Sequence, residues 1–241
     1  MRIAFLHTAD VHVQTFDDLI EELAPFAELV HVVRPDLLDR ARIQGLKAVA
    51  KDTTTLLTDL ADADAVICTC STLGPIADAL SGTIEHVQRI DRPVMEEAAR
   101  LGQHVLIAVC LDSTKDASVA LFKECAGSNV APYVCVIPQA WPFFERGEQT
   151  AFADTIAAAI IAEQAHLPKL DCIVLAQASM RVAEPALADV GVPVISSPRL
   201  ATLRAIKVAN AHKTIDTTNH TASVCVQVQQ SRRLQTKDED R

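Results

Sequence analysis

The stretch Ala63-Asp64-Ala65-Val66-Ile67-Cys68-Thr69-Cys70-Ser71-Thr72-Leu73-Gly74 decides the fold. It begins as an apolar run of the kind that forms a strand buried on both faces. It ends in a thiol, two hydroxyls and a glycine where a helix can start. Leu170-Asp171-Cys172-Ile173-Val174-Leu175-Ala176-Gln177-Ala178-Ser179-Met180 has the same grammar. An aspartate precedes each strand, and the residue six positions later opens the turn. That residue is Cys70 in the first stretch and Gln177 in the second. The repeat predicts a two-fold plan with unlike chemistry in its halves.

Working outward, Ile3 to Leu6, Ala27 to Val33, the run ending at Cys70 and Ile84 to Val87 read as strands of a first half. Val105 to Val109, Tyr133 to Ile137, the run ending at Ala176 and Val192 to Ile195 read as strands of a second. Helical spacing covers Phe16 to Leu23, Asp36 to Asp62 and Ile76 to Leu80. It returns in the segment capped by Asp91 and stopped by Gly102, and over Lys115 to Cys125, Thr150 to Ala165, Pro185 to Val190 and Pro198 to Ala211. Trp141-Pro142-Phe143-Phe144 reads as an aromatic turn. Beyond residue 212 the period is lost. Val224 to Val228 reads as an edge strand and Ser231 to Arg241 as a disordered tail.

Alternating strands and helices predict a parallel α/β architecture, in which ligands bind beyond the carboxyl ends of the strands. Four loops at those ends are rich in small polar groups: His7-Thr8-Ala9-Asp10, Cys70-Ser71-Thr72, Ser113-Thr114 and Gln177-Ala178-Ser179. If the halves face each other, all four meet in one cleft.

The 241 residues suit one large domain or two of ordinary size. Aromatic residues are only 4% of the chain against 49% hydrophobic, so aliphatic side chains supply the core, as in helices packed on parallel strands. A net charge of −9 argues against a nucleic-acid partner, whose phosphates demand a basic face. Seven cysteines, an odd number with no CxxC pair, predict reduced thiols in a cytoplasmic chain. The N-terminus reads as a strand and no apolar run reaches spanning length, so neither a signal peptide nor a membrane partner is expected. No cluster of His and Cys has metal-ligand spacing, and no metal is expected.

In their order and spacing, four segments resemble the aspartate/glutamate racemase superfamily. They are Cys70-Ser71-Thr72, Leu175-Ala176-Gln177-Ala178-Ser179, Ile90-Asp91-Arg92-Pro93-Val94-Met95-Glu96-Glu97-Ala98 and Gly191-Val192-Pro193-Val194-Ile195. The superfamily includes hydantoin racemases, maleate isomerases and arylmalonate decarboxylases. The likeness spans roughly residues 1–210. It implies two pseudo-symmetric flavodoxin-like halves, each a parallel sheet flanked by helices, with the active site between them. It implies a first half of residues 1–95 plus 205–222, a second half of 96–204, and an edge segment and tail over 223–241. The implied chemistry is proton transfer at a carbon beside a carboxylate, with no PLP and no other cofactor. The implied assembly is a homodimer or larger.

Cys70 is the expected acid/base, because a helix N-terminus stabilises a thiolate. Cys68 and Cys172 lie within their strands and read as core. Thr8, Ser71 and Thr72 offer hydroxyls and N–H groups to a substrate carboxylate or to an enediolate. Ser113 and Thr114 are further carboxylate ligands or an N-cap, and Ala178 and Ser179 face the substrate's other end. Gln177 stands where the resemblance places a second cysteine. An amide cannot abstract a proton near neutral pH, so symmetric two-thiol racemisation is not expected. His7 and Asp10 are candidates for the second acid/base, against local hydrogen bonding and capping respectively. Besides a racemase or isomerase acting on a small carboxylate, the residues leave open a one-thiol, malonate-type decarboxylase, an isomerase using Cys70 as nucleophile, and a carboxylate-binding protein without turnover.

Overall fold

The computed structural model describes residues 1–212. The expected edge strand and tail, and the end of the first half at 222, lie outside them. The first half contains β1 (Arg2–His7), α1 (Val11–Leu23), β2 (Glu28–Val33), α2 (Pro35–Gln44), α3 (Ala50–Asp59), β3 (Ala65–Cys68), α4 (Gly74–Ser81) and β4 (Val87–Arg89). The second contains α5 (Arg92–Leu101), β5 (Val105–Val109), α6 (Asp112–Ala126), β6 (Tyr133–Val136), α7 (Trp141–Glu145), α8 (Gln149–Gln164), β7 (Cys172–Leu175) and β8 (Val194–Ser196). A closing helix, α9, covers 197–212.

Each half is a four-stranded, all-parallel sheet, and the topology repeats. The order is β2-β1-β3-β4 in one and β6-β5-β7-β8 in the other. The two stretches first quoted become β3 and β7, the equivalent inner strands. In this order the chain reverses direction across the sheet next to the first strand of each half. Loops after β1 and β3, and after β5 and β7, therefore splay apart and leave a crevice.

Burial on both faces explains the continuous apolar runs. Every residue of β3, β5 and β7 is buried. Alternate residues serve different layers, as the two-residue period of a strand requires. Ala4 and Leu6 join a large core shared by the halves, with Val66, Leu106, Leu175 and the α8 residues Phe152 and Ile156. Ile3 and Phe5 face α1 and α9, where Phe16, Leu19 and Ile20 meet Ala201, Ala205 and Ala209. Those alanines are four apart, so α9 lays one small-residue face on the first half and approaches it closely. The residues Val94, Met95 and Ala98 of α5 pack on β5 and β7.

Several elements depart from the sequence reading, among them the expected aromatic turn at Trp141–Phe144, which is the short helix α7. The single helix expected over Asp36–Asp62 is two helices, because Gly45 takes φ +84°, a region that interrupts a helix and favours glycine. The fourth strand is Val87–Arg89 rather than 84–87. Its register pairs Arg89 with Cys68, and the Arg89 guanidinium binds the fully buried Asp91 through two bonds of 2.6 and 2.9 Å. The helix expected over Pro185–Val190 is a single 3-10 turn, Pro185–Leu187, and another 3-10 segment, Ala178–Ala183, precedes it. In contrast, α1 begins at Val11, five residues before the expected start, and so carries His12 into the crevice.

Candidate active site

The four expected loops do meet, and polar contacts between the halves fix them. The Ser71 hydroxyl donates to the Ala176 carbonyl at 2.8 Å. The hydroxyls of Thr72 and Thr114 lie 3.2 Å apart. Gln177 reaches back across its own half, where its side-chain oxygen accepts the backbone N–H groups of Cys110 at 2.5 Å and Leu111 at 3.1 Å. Its carbonyl thus fills a pair of donors at the end of β5. The Gln177 amide N–H₂ group has no protein partner among the described residues.

These loops enclose a small inner chamber of about 30 Å³, lined by Thr8, His12, Cys70, Ser71, Thr72, Thr114, Gln177, Ala178 and Ser179, with Trp141 and Phe144 as aromatic walls. A water needs roughly 10–15 Å³ on this scale, so the chamber has room for two or three. Thr8, His12, Phe144, Ala178 and Ser179 also line a second cavity, which is much larger at about 660 Å³.

Cys70 is buried in the inner chamber. Burial pushes its thiol above the ordinary range. The hydroxyls of Thr8 and Thr72 and the backbone N–H groups of Leu73 and Thr72 pull in the opposite direction and lose. The resting residue is therefore a protonated thiol set among donors that stabilise a thiolate once one forms. Cys68, Cys110 and Cys172 lack that setting: burial holds Cys110 and Cys172 up at about 12, and Cys68 is pushed higher still.

His12 was not foreseen. Its ring is buried and lies 6.3 Å from the Phe144 ring. Among the described residues its nitrogens have no hydrogen-bond partner. Desolvation lowers its pKa to about 4, so it is neutral at physiological pH and able to accept a proton.

The remaining expected residues divide. Thr8, Ser71, Thr72, Thr114, Gln177, Ala178 and Ser179 line the inner chamber with Cys70. His7 lines neither cavity. Its ring stacks 5.6 Å from Phe5 and 5.1 Å from His31, with Nδ1 at 2.8 Å from the Thr69 hydroxyl and Nε2 at 2.8 Å from His31. His31 in turn lies 3.1 Å from the Asp17 carboxylate. Burial first, then His12 and His31, hold the His7 pKa down near about 3. Asp10 is exposed and reaches only the larger cavity. Ser113 is exposed and borders a separate surface cleft with Arg42 and Pro138. Among the described residues no group of three or more His, Cys, Asp or Glu side chains is placed to hold a metal, and no helix is long and apolar enough to cross a membrane.

No protein-family model and no curated protein sequence matches the chain. Solved structures do. Aspartate racemase from Picrophilus torridus is 13% identical at TM-score 0.65, over 87% of this chain and 94% of that one. Glutamate racemase RacE1 from Bacillus anthracis is 14% identical at TM-score 0.69, over 87% and 81%. Arylmalonate decarboxylase is 15% identical at TM-score 0.53, over 87% and 92%. The chain thus shares its two-half α/β fold with these two racemases and the decarboxylase.

Proposed function

We propose that this protein is a cofactor-independent racemase or isomerase that moves a proton at the carbon beside a substrate carboxylate, with Cys70 and His12 as its two acid/base groups. The observation that carries this reading is the pairing of a protonated thiol and a neutral, unpartnered imidazole in one small, donor-lined chamber. It replaces His7 and Asp10 as candidates for the second group. His7 becomes a positioning residue that holds Thr69 and the loop behind Cys70.

The substrate carboxylate sits among the hydroxyls of Thr8, Thr72 and Ser179 and the Gln177 amide. His12 takes the alpha proton and becomes an imidazolium. The electron pair moves into the carboxylate, giving an enediolate that the same donors stabilise. Cys70 delivers its proton to the opposite face and becomes a thiolate, held by the N–H groups of Thr72 and Leu73. The enzyme is then in the form that runs the reverse direction, and transfer of the proton from His12 to Cys70 restores the starting state.

A second reading has one supporting observation. A lone protonated thiol is also what a malonate-type decarboxylase needs, since loss of carbon dioxide leaves an enediolate that a single donor protonates. The test for both is a panel of chiral 2-substituted acids and their malonate counterparts. Interconversion of enantiomers that disappears in Cys70→Ala supports the first reading. Release of carbon dioxide from malonates without interconversion supports the second. Unchanged turnover in Cys70→Ala refutes the role of Cys70 in either.

A further inference from the structure

The inner chamber is too small for more than a carboxylate and the carbon that bears it. The chamber adjoins a cleft beyond Leu111 and Trp141 and, along a longer shared wall of Thr8, Ala9, His12, Phe144, Ala178 and Ser179, the cavity of about 660 Å³, where the rest of a substrate would extend. That volume falls within the range of sites for ligands much larger than a free aspartate or glutamate, roughly 300–1,000 Å³. We propose that it holds a bulky apolar arm, and that the substrate is a monocarboxylate bearing such an arm on its reacting carbon. The inference rests on the reading of the Cys70 chamber as the carboxylate site.

Two features of the walls point this way. The first is their chemistry: Val11, Pro35, Phe144, Val182 and Pro185 present aliphatic and aromatic surface to the cavity. Val11 and Val182 are each 40% exposed, so apolar surface stands open at the cavity. An apolar arm would bury both. The second feature is charge. Among the described residues Arg181 is the one Arg or Lys lining the cavity, against the carboxylates of Asp10, Glu145 and Glu184. A second carboxylate at the end of the arm would enter a net acidic rim. The inner chamber is different, because its thiol and imidazole are both neutral at rest and oppose no anion. One carboxylate is welcome inside and a second is penalised outside, so acidic amino acids and straight-chain dicarboxylates fit poorly.

The position of Phe144 links the two compartments. Its ring lies 4.6 Å from Trp141 in the inner chamber wall and 5.4 Å from Phe152 in the outer one. An arm attached to a carbon at Cys70 would therefore leave the chamber along Phe144 and His12.

Binding measured by calorimetry on the full chain tests the inference without requiring turnover. The probes are propanoate, glutamate and 2-methyl-3-phenylpropanoate. Burying a phenyl ring should tighten binding about 100-fold over propanoate, and glutamate should bind no better than propanoate. Val182→Asp places a charge on the apolar wall at a position that is 40% exposed and lies outside the packed cores. It should weaken the phenyl acid at least tenfold and leave propanoate unchanged. Equal affinities for all three probes, tightest binding of glutamate, insensitivity to Val182→Asp, or no binding of the phenyl acid at millimolar concentration would each overturn the proposal. Tight binding of the phenyl acid with no Cys70-dependent turnover would leave the proposal standing and refute the catalytic reading instead.

Discussion

Acidification should destabilise this protein through two buried histidines, and the size of the effect follows from their surroundings. His7 and His12 have pKa values near about 3 and about 4 in the folded chain, both set first by burial. An unfolded histidine titrates near about 6.5. Between these limits the unfolded state binds a proton that the folded state refuses, so unfolding gains as pH falls. The stabilisation is fully present above about pH 6.5 and is lost progressively below it, until the folded pKa is reached. At pH 5 each histidine forfeits about 2 kcal/mol, and the two together about 4 kcal/mol, relative to pH 8. For a chain of this size that lowers the melting temperature by roughly 8–16 °C. Urea unfolding followed by circular dichroism from pH 8 to pH 5 measures it. His7→Phe retains an aromatic ring against Phe5 and Phe16 and removes one titrating group. The variant should be less stable at pH 8, since His31 loses a partner, but its loss between pH 8 and pH 5 should be about 2 kcal/mol smaller. Identical pH slopes for variant and wild type would refute the claim that His7 is held neutral in the fold.

Three further outcomes follow from individual contacts. Asp91→Ala removes both hydrogen bonds to the buried Arg89 guanidinium, leaving it only Asp78 at 3.6 Å, and should cost up to about 3–5 kcal/mol in chemical denaturation, as loss of one partner of a buried pair does. Gln177→Leu leaves the buried N–H groups of Cys110 and Leu111 without their acceptor and should cost about 1–3 kcal/mol per group left unsatisfied, measured the same way; retained stability would mean that another acceptor replaces the amide. Alkylation of Cys70 by iodoacetamide, followed by peptide mass spectrometry in the folded protein, should rise with pH only in the alkaline range above that of an ordinary thiol, whereas an inflection near neutrality would place a thiolate where burial predicts a thiol.

The fold was legible because the two inner strands are written twice. Ala65-Val66-Ile67-Cys68 and Cys172-Ile173-Val174-Leu175 carry no polar side chain, and the aspartates before them mark equivalent positions. The site was legible at Cys70, Thr72, Gln177 and Ser179 for the same reason: they end those strands. His12 was not, because its signal is tertiary. Asp10 makes no side-chain cap to announce the start of α1, and the ring faces the cleft only because α7 brings Phe144, far along the chain, beside it. The role of Ser71 was equally hidden. Its sequence position suggests a ligand for substrate, yet its hydroxyl is committed to the Ala176 carbonyl of the other half. His7 occupies the expected place at the end of β1, but the two-residue alternation of the strand turns it toward Phe5 and α1 and away from Cys70.

The central claim is that Cys70 and His12 act on opposite faces of one carbon. Exchange of the alpha proton with deuterated solvent, followed separately for each enantiomer of the best-bound acid, tests it directly in Cys70→Ala and His12→Gln. The account predicts complementary defects. Cys70→Ala should keep exchange for one enantiomer near neutral pH, and His12→Gln should keep it for the other, with a rate that rises as the thiol ionises. Loss or retention of both enantiomers together in Cys70→Ala would contradict it.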